Sequence, residues 1–264
     1  MAEAEYLYER IASELRDRME SGSLNPGDRL PSQDAIAQEF SVSRIVARRA
    51  LDILESEGLI DRTQRLGAFV RRRQPLIRRS ALHYVSAPGA PFAEEALQAE
   101  RIPRFAHASA RTPAEPEIAQ RLKIPTGAEV MRTSYLSYGN QHPVMSVVSY
   151  EPLAITGGTV IEFPEGPGPY PGAGLVDRFT AIGKRPTVVV ERLRCRMPRP
   201  SEIDLLSLRP GTPVIVMTRT TYLEDLPLET ADMLFDADRY ELEYPIVVSP
   251  RAQSVEDSSA DSQR

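Results

Sequence analysis

Cysteine, histidine and lysine are scarce in this sequence, and their scarcity excludes several kinds of site. A single cysteine, Cys195, rules out an intrachain disulfide, and the three histidines lack the spacing of a zinc site. The sequence contains no recognisable phosphate loop or catalytic triad, so an enzyme is not expected and no cofactor is predicted. No apolar run approaches the ~20 residues of a membrane span, and MAEAEYLYER at the N-terminus lacks a signal core, which predicts a cytoplasmic protein.

Positive charge is concentrated in one segment of a chain whose net charge is −5. Residues 1–40 hold 4 basic and 9 acidic side chains, and residues 81–264 hold 18 basic and 24 acidic ones, so both segments are negative. Residues 41–80 hold 10 basic and 4 acidic side chains, which gives this middle segment a net charge of +6. Because salt screens charges beyond a Debye length of about 10 Å, a local patch sets the field that a phosphate backbone meets. The acidic total therefore does not exclude nucleic acid as a partner.

The apolar spacing of the first sixty residues predicts three helices. They cover residues 6–20, 33–39 and 44–57. Breakers in SGSLNPGDRLPS end the first helix, and Ser32 and Ser43 stand where N-caps would begin the second and third. Gly58 follows the third helix and can adopt the left-handed conformation that ends a helix. The second and third helices, joined by a short turn, form a predicted helix-turn-helix.

A β-hairpin is predicted directly after the third helix. Residues 59–60 and 68–70 are apolar, and the polar loop DRTQRLG separates them. A helix-turn-helix followed by such a wing is typical of DNA-binding domains. Residues 1–73 are therefore predicted to form a winged helix-turn-helix.

The start of the third helix carries side chains that suit DNA. Arg44 and Arg48 are four residues apart and share one face, and the arginine fork pairs with O6 and N7 of guanine. Two arginines on a helix are usually a solvated face, but the caps, the wing and the local positive charge together favour DNA binding. The candidate DNA-binding residues are Ser32, Gln33, Ser41, Ser43, Arg44, Arg48, Arg49, Arg65 and Gly67.

The pattern of the sequence changes after residue 73. Residues 74–80 are predicted to be an electropositive linker, residues 81–249 a second domain, and residues 250–264 a polar, disordered tail. Five segments of the second domain are predicted strands: 130–139, 143–152, 187–197, 212–223 and 227–235. Short helices are predicted over 116–124, 173–183 and 202–208. These elements indicate an α+β domain with an antiparallel sheet.

Polar residues on otherwise apolar strand faces mark a candidate pocket in the second domain. A charge on a buried face needs a partner, so either Glu191 or Glu229 is expected to pair with Arg219. A structural ion pair or a dimer contact would explain these residues equally well. The candidate ligand-binding residues are Tyr135, Ser137, Glu191, Arg219 and Glu229.

Residues 6–73 resemble the winged-helix domain of the GntR family of bacterial transcription regulators. The resemblance lies in PGDRLPS, VSR, RAL, GLI and GAFV, which begin at residues 26, 42, 49, 58 and 67. It implies that Ser43, Arg44, Arg48 and the wing tip contact operator DNA. The chain departs from the family pattern at Asp34, where a DNA-contacting arginine is usual, and at Leu66, where a wing glycine is usual. The operator preference of relatives therefore cannot be assumed.

The second domain resembles the UTRA effector-binding domain of the HutC subfamily, which shares its fold with chorismate lyase. The order of elements carries this resemblance, with turns at Gly127, Pro143 and Gly211 and the motifs Leu-Glu at 228–229 and Asp-Arg-Tyr at 238–240. Relatives that bind phosphosugars have two arginines at the positions of Tyr135 and Ser137, and a serine and a tyrosine near Gly174 and Val176. These groups are missing, so the expected effector is not a sugar phosphate.

Three functions are compatible with the sequence. The first is an effector-responsive regulator, expected to be a repressor, that acts as a homodimer on palindromic operator DNA and has no membrane partner. The second is a ligand-independent DNA-binding repressor, for example one that controls plasmid transfer. The third is an enzyme of the chorismate lyase-like fold, although a poised acid, base or nucleophile is not apparent.

Overall fold

The computed structural model describes residues 2–63, 65–80, 84, 91–165 and 173–246 of the chain. The predicted disordered tail lies outside the described residues. Within these ranges, none of the helices combines the length and the apolar character needed to cross a membrane.

The N-terminal domain consists of three helices and a two-stranded hairpin. Its elements are α1 (Ala2–Glu20), α2 (Gln33–Glu39), α3 (Arg44–Ser56), β1 (Ile60–Thr63) and β2 (Gly67–Val70). Ser32 and Ser43 are the N-caps of α2 and α3, since their Oγ atoms accept hydrogen bonds from Ala35 N at 3.1 Å and Val46 N at 3.4 Å. Gly58 has a φ of +72° just after α3. The local signals in the sequence therefore predicted α2 and α3 correctly.

The core of this domain lies where α1 and α2 pack on one face of α3. Its largest buried side chains are Ile11, Leu15, Ile36, Leu51, Leu54 and Ile60. Full burial of one such side chain stabilises a fold by about 1.5–3 kcal/mol. At the start of α3, Arg44, Ile45 and Arg48 lie outside this core and are exposed.

The C-terminal domain is built on an antiparallel sheet, as predicted, but the sheet has six strands where five were predicted, in the order β4-β5-β6-β9-β8-β7. Its strands are β4 (Pro103–Pro113), β5 (Glu129–Gly139), β6 (His142–Pro152), β7 (Val188–Arg196), β8 (Val214–Leu223) and β9 (Leu226–Asp236). Its helices are α4 (Pro91–Gln98), α5 (Pro116–Leu122), α6 (Leu153–Thr156), α7 (Leu175–Ala181) and α8 (Pro200–Leu206).

The two faces of this sheet have different coverings. Helix α8 packs against one face, where Leu206 meets Leu136 and Leu234. The opposite face carries Tyr135 and Met233, and α4 is packed against it. Because side chains alternate along a strand, the predicted pocket residues Tyr135 and Ser137 point to this second face.

A further strand pair closes the second domain where a linker was predicted. Strand β3 (Leu76–Arg79) pairs in parallel with β10 (Tyr240–Glu243), with Leu76 opposite Tyr240. Leu76 and Arg78 are fully buried. Residues 76–79 are therefore an integral part of the second domain, and the prediction of an electropositive linker over 74–80 was wrong for them.

Candidate functional site: a DNA-binding face and an effector cavity

The exposed start of α3 presents a positive and apolar surface. Arg44 and Arg48 are both exposed, and Ile45 between them is 70% exposed. The backbone N–H groups of the first helical turn add the positive end of the helix dipole, which favours phosphate. Ser43 keeps this end in place through its cap, and an exposed isoleucine can contact a thymine methyl group.

Arg44 is held by an acidic residue of the neighbouring helix. Its Nε lies 2.6 Å from Oδ1 of Asp34, and its Nη2 donates to Oδ2 of the same carboxylate at 3.0 Å. Both side chains remain more than half exposed. The carboxylate that replaces the usual arginine at residue 34 therefore fixes the direction of Arg44, while leaving it open to a partner.

A groove runs between the helix-turn-helix and the wing. Five of the predicted DNA-binding residues line it, namely Ser32, Gln33, Arg44, Arg65 and Gly67. Arg65 has a φ of +69° and Gly67 a φ of +109°, so the wing tip turns sharply. Arg29 also lines the groove, close beside Gly67. Sequence analysis missed Arg29, although it lies within the PGDRLPS motif.

The remaining predicted DNA-binding residues lie around this groove or apart from it. Ser41 has a φ of +53° in the turn between α2 and α3, and Ser43 and Arg48 are exposed on α3. Arg49 points elsewhere: its guanidinium stacks over the ring of Tyr8 at 5.8 Å from the ring centre. The structure thus brings Arg49 against α1 and not into the groove.

The second domain contains a cavity of about 180 Å³ on the sheet face opposite α8. Four of the five predicted ligand-binding residues line it, namely Tyr135, Ser137, Arg219 and Glu229. Its apolar walls include Phe92, Phe105, Met145, Val147 and Met233, and its polar lining adds Ser149, Glu151, Glu165 and Arg178. An apolar pocket with a few converging polar groups is the usual form of a small-molecule site.

Two buried ion pairs line this cavity. Arg219 donates to Glu229 at 2.7 Å, as the sequence predicted for one of two glutamates. Arg178 on α7 donates through both Nη atoms to Glu151 on β6, at 2.6 and 3.0 Å. Burial raises the pKa of Glu151 against the lowering effect of Arg178. In each pair the carboxylate compensates the charge of the guanidinium, so Arg178 and Arg219 add no net positive charge to the cavity.

Glu191, the fifth predicted ligand-binding residue, lies outside the cavity. It stands opposite Arg219 in the β7–β8 register, yet its ion partner is Arg78 of β3, at 2.7 Å. The hydroxyls of Tyr84 and Tyr244 also donate to it. Burial opposes ionisation, but Arg78 and the two tyrosines lower the pKa of Glu191 overall. Its contacts are those of a structural residue that fixes β3 to the sheet.

The two domains meet at a buried polar junction. Arg71, which follows the wing strand β2, donates to Asp238 at 2.7 Å, to Thr212 Oγ1 at 3.1 Å and to the carbonyl of Pro210 at 2.9 Å. Its Nε also donates to Asp61 of β1 at 3.1 Å. One guanidinium therefore links the wing to two turns of the C-terminal domain.

Two glycines allow α3 to approach this junction. Gly211, in the turn before β8, has a φ of +70° and packs against the end of α3 and the backbone N of Gly58. A Cβ at residue 211 would lie 2.5 Å from that nitrogen and 2.8 Å from the carbonyl oxygen of Glu55. The helix that carries Arg44 thus ends directly on the domain that contains the cavity.

Both halves of the chain match known families. Residues 7–70 match the gntR family of bacterial regulatory proteins, and residues 105–241 match the UTRA domain. The chain therefore belongs to the GntR family of bacterial transcriptional regulators and carries a UTRA effector-binding domain.

Full-length relatives share this organisation. The chain is 29% identical to an HTH-type transcriptional regulator of Rhizobium meliloti over 244 residues, which cover 89% of this chain and 93% of that one. It is 26% identical to the histidine utilization repressor of Pseudomonas aeruginosa, with 90% of each chain covered. A crystal structure of a GntR-family transcriptional regulator is 36% identical and superposes with a TM-score of 0.70, covering 92% of this chain and 98% of that one.

Proposed function

We propose that this protein is a repressor that binds operator DNA through α3 and the wing and changes its DNA affinity when a small molecule occupies the cavity. The observation that carries this proposal is the location of the cavity and of α3 on one chain, joined through the Arg71 junction. A ligand that prefers one arrangement of the two domains would shift operator affinity, and DNA would shift ligand affinity by the same factor.

The DNA-binding roles proposed for single residues follow from the groove. Arg44 and Arg48 would enter the major groove with Ile45, while Arg65 and Arg29 would contact the flanking minor groove or its phosphates. Ser41 and Ser43 would donate to phosphate. Arg49 is no longer part of the proposed contact set, because it packs on Tyr8.

We also propose that the protein acts as a homodimer. Two copies would place two α3 helices on a palindromic operator, with half-sites about one helical turn apart or further. Exposed apolar residues on the edge strand β7, on α8 and in the connection between them support a contact there: Val188, Leu193, Met197, Ile203 and Leu205. Light scattering coupled to size-exclusion chromatography measures the assembly, and a monomer on an asymmetric site would contradict it.

The test of DNA binding begins by selecting bound fragments from the source genome, which yields the operator. The variant Arg44→Gln/Arg48→Gln should then lose operator binding in a gel-shift assay. The variant Arg104→Gln/Arg185→Gln removes the same charge from exposed sites outside β7 and α8 and serves as the matched control. Equal operator binding by both variants would overturn the proposal.

A further inference from the structure

Among the described residues that line the cavity, no cationic side chain is free to bind an anionic ligand. Arg178 is engaged by both oxygens of Glu151 and donates in addition to the carbonyl of Ile161 at 2.6 Å, while Arg219 is engaged by Glu229. An anion could use either arginine only by displacing a buried carboxylate. Breaking a buried pair costs about 3–5 kcal/mol, so an anion is poorly matched to this site.

A third carboxylate in the cavity, Glu165, makes no direct ion pair with a described residue, although it lies near enough to Arg178 to raise the pKa of that guanidinium. Glu165 lines the cavity half-buried. It faces Tyr135, whose pKa is raised by burial and then by this carboxylate. The sequence that follows, GPGPYPG at residues 166–172, contains no arginine, lysine or histidine. The described part of the lining therefore has one negative charge in excess, with three glutamates against two arginines.

Two serine side chains of the cavity can offer their hydroxyls to a ligand. Ser137 is 4% exposed and Ser149 is 7% exposed, both line the cavity, and neither side chain makes a hydrogen bond to any described residue. Neither oxygen is sealed from solvent, so a ligand that enters the cavity can replace water as the hydrogen-bond partner of both hydroxyls. They lie on β5 and β6, on the face that also carries Tyr135.

The walls of the cavity suit a cation with an apolar body. Phe92, Phe105 and Tyr135 provide aromatic rings, and Met145 and Met233 provide polarizable sulfur. Aromatic faces attract ammonium groups, most strongly where water is excluded. The volume of about 180 Å³ is below the ~300–1,000 Å³ of sites for drug-sized molecules, so the ligand is compact.

From these observations, and resting on the proposed function, we infer that the effector is a small organic amine. Its ammonium group lies against Glu165 and the ring of Tyr135, its apolar part contacts Phe92 and the methionines, and a hydroxyl or carbonyl group completes the hydrogen bonds of Ser137 and Ser149. The class excludes sugar phosphates and carboxylic acids without an amino group.

The test compares near-isosteric probes that differ in charge, using the full-length protein at neutral pH. A panel of small aryl and alkyl amines, led by phenethylamine and tyramine, is titrated calorimetrically beside the matching alcohols and carboxylates, 2-phenylethanol and phenylacetate among them. At least one amine is expected to bind about tenfold more tightly than its alcohol, with no binding of the carboxylates. Binding of a carboxylate or an alcohol as tight as that of its amine would overturn the inference, and so would the failure of every amine to bind.

The variant Glu165→Gln locates the effect, because it keeps the shape of the side chain and removes its charge. The ratio of amine to alcohol affinity should fall towards one in this variant. The variant Glu129→Gln removes a charge from an exposed position on β5 and should keep the ratio of the unmodified protein. A ratio that Glu165→Gln leaves unchanged would contradict the inference.

Operator binding, measured without any probe, separates the two proposals. A protein that binds its operator but prefers anions would overturn the effector class alone. A protein that binds amines but no DNA would instead overturn the proposed function.

Discussion

The guanidinium of Arg71 and the carboxylate of Asp238 form an ion pair with 2.7 Å between Nη1 and Oδ2, and both side chains are almost inaccessible to solvent, at 2% and 5%. One residue ends the wing of the DNA-binding domain, and the other precedes β10 of the effector domain. Because the pair is buried, it joins the two domains in a way that surface charges could not.

Replacement of Arg71 should uncouple the domains. Arg71→Met leaves Asp238 buried without its main partner and should reduce the free energy of unfolding by about 3–5 kcal/mol. Calorimetry should resolve two unfolding transitions where the unmodified protein shows one. Arg73→Met is the control, since Arg73 approaches the other oxygen of Asp238 from solvent and is 57% exposed. A loss below about 1 kcal/mol is expected there. Equal effects of the two variants would contradict a special role for Arg71.

Asp34 should control DNA specificity with little effect on stability. In Asp34→Asn the guanidinium of Arg44 is released and a negative charge near the phosphates is removed, so affinity for random DNA should rise while the preference for the operator falls. Fluorescence anisotropy at several salt concentrations measures both affinities. Glu39→Gln, at the other end of α2, breaks the exposed pair with Arg18 and should leave the preference intact. An unchanged preference in Asp34→Asn would refute the orienting role.

Gly211→Ala tests the contact between α3 and the effector domain. Any side chain at a φ near +70° costs about 1–2 kcal/mol, and the clash with the end of α3 should add about 1–3 kcal/mol. Gly183→Ala has the same backbone cost at a φ of +71°, but its Cβ would meet nothing within 4 Å. The difference between their unfolding free energies therefore isolates the contact. Equal losses would show that α3 can move away from residue 211 at no cost.

Acid should weaken the protein partly through Glu202. Hydrogen bonds from Arg196, followed by the backbone N–H of Arg199, lower its pKa from 4.5 to about 2 despite partial burial. A lowered pKa in the folded state contributes stability above pH 4.5 that is lost as pH falls towards 2. We expect the free energy of unfolding, measured from denaturation curves across this pH interval, to fall less steeply with falling pH in Glu202→Gln than in the exposed control Glu129→Gln. Identical slopes would contradict this assignment.

Local signals in the sequence predicted the elements that depend on local chemistry. The Ser32 and Ser43 caps and the Gly58 stop are short-range features, so the bounds of α2 and α3 could be read directly. Strand β4 was missed because it lies at the sheet edge and most of its residues are exposed, which removes the alternation that marks a half-buried strand. Strand β10 is only four residues long and gives no periodic signal.

Long-range pairing limited the prediction of the sites. Arg71 and Arg78 contributed to the positive charge counted in the sequence, but both are buried against acids more than one hundred residues away, so the exposed positive surface is smaller than the sequence implied. Glu191 shares a sheet row with Arg219, which made it a reasonable pocket candidate. The sequence does not reveal that β3 places Arg78 beside Glu191, where the two side chains form an ion pair. Tyr135, Ser137, Arg219 and Glu229 reach the cavity because strand alternation alone sets their face.

The parallel pairing of β3 with β10 has a consequence for synthesis on the ribosome. Strand β3 emerges soon after the wing, whereas β10 emerges only after the entire six-stranded sheet has been made. The winged-helix domain can therefore fold before the strand that pairs with Leu76 and Arg78 has been synthesised. Nascent chains should pass through a stage in which the N-terminal domain is folded and the C-terminal domain is not. A truncated chain that ends before β10 would remain at that stage, exposing an unpaired strand that invites aggregation.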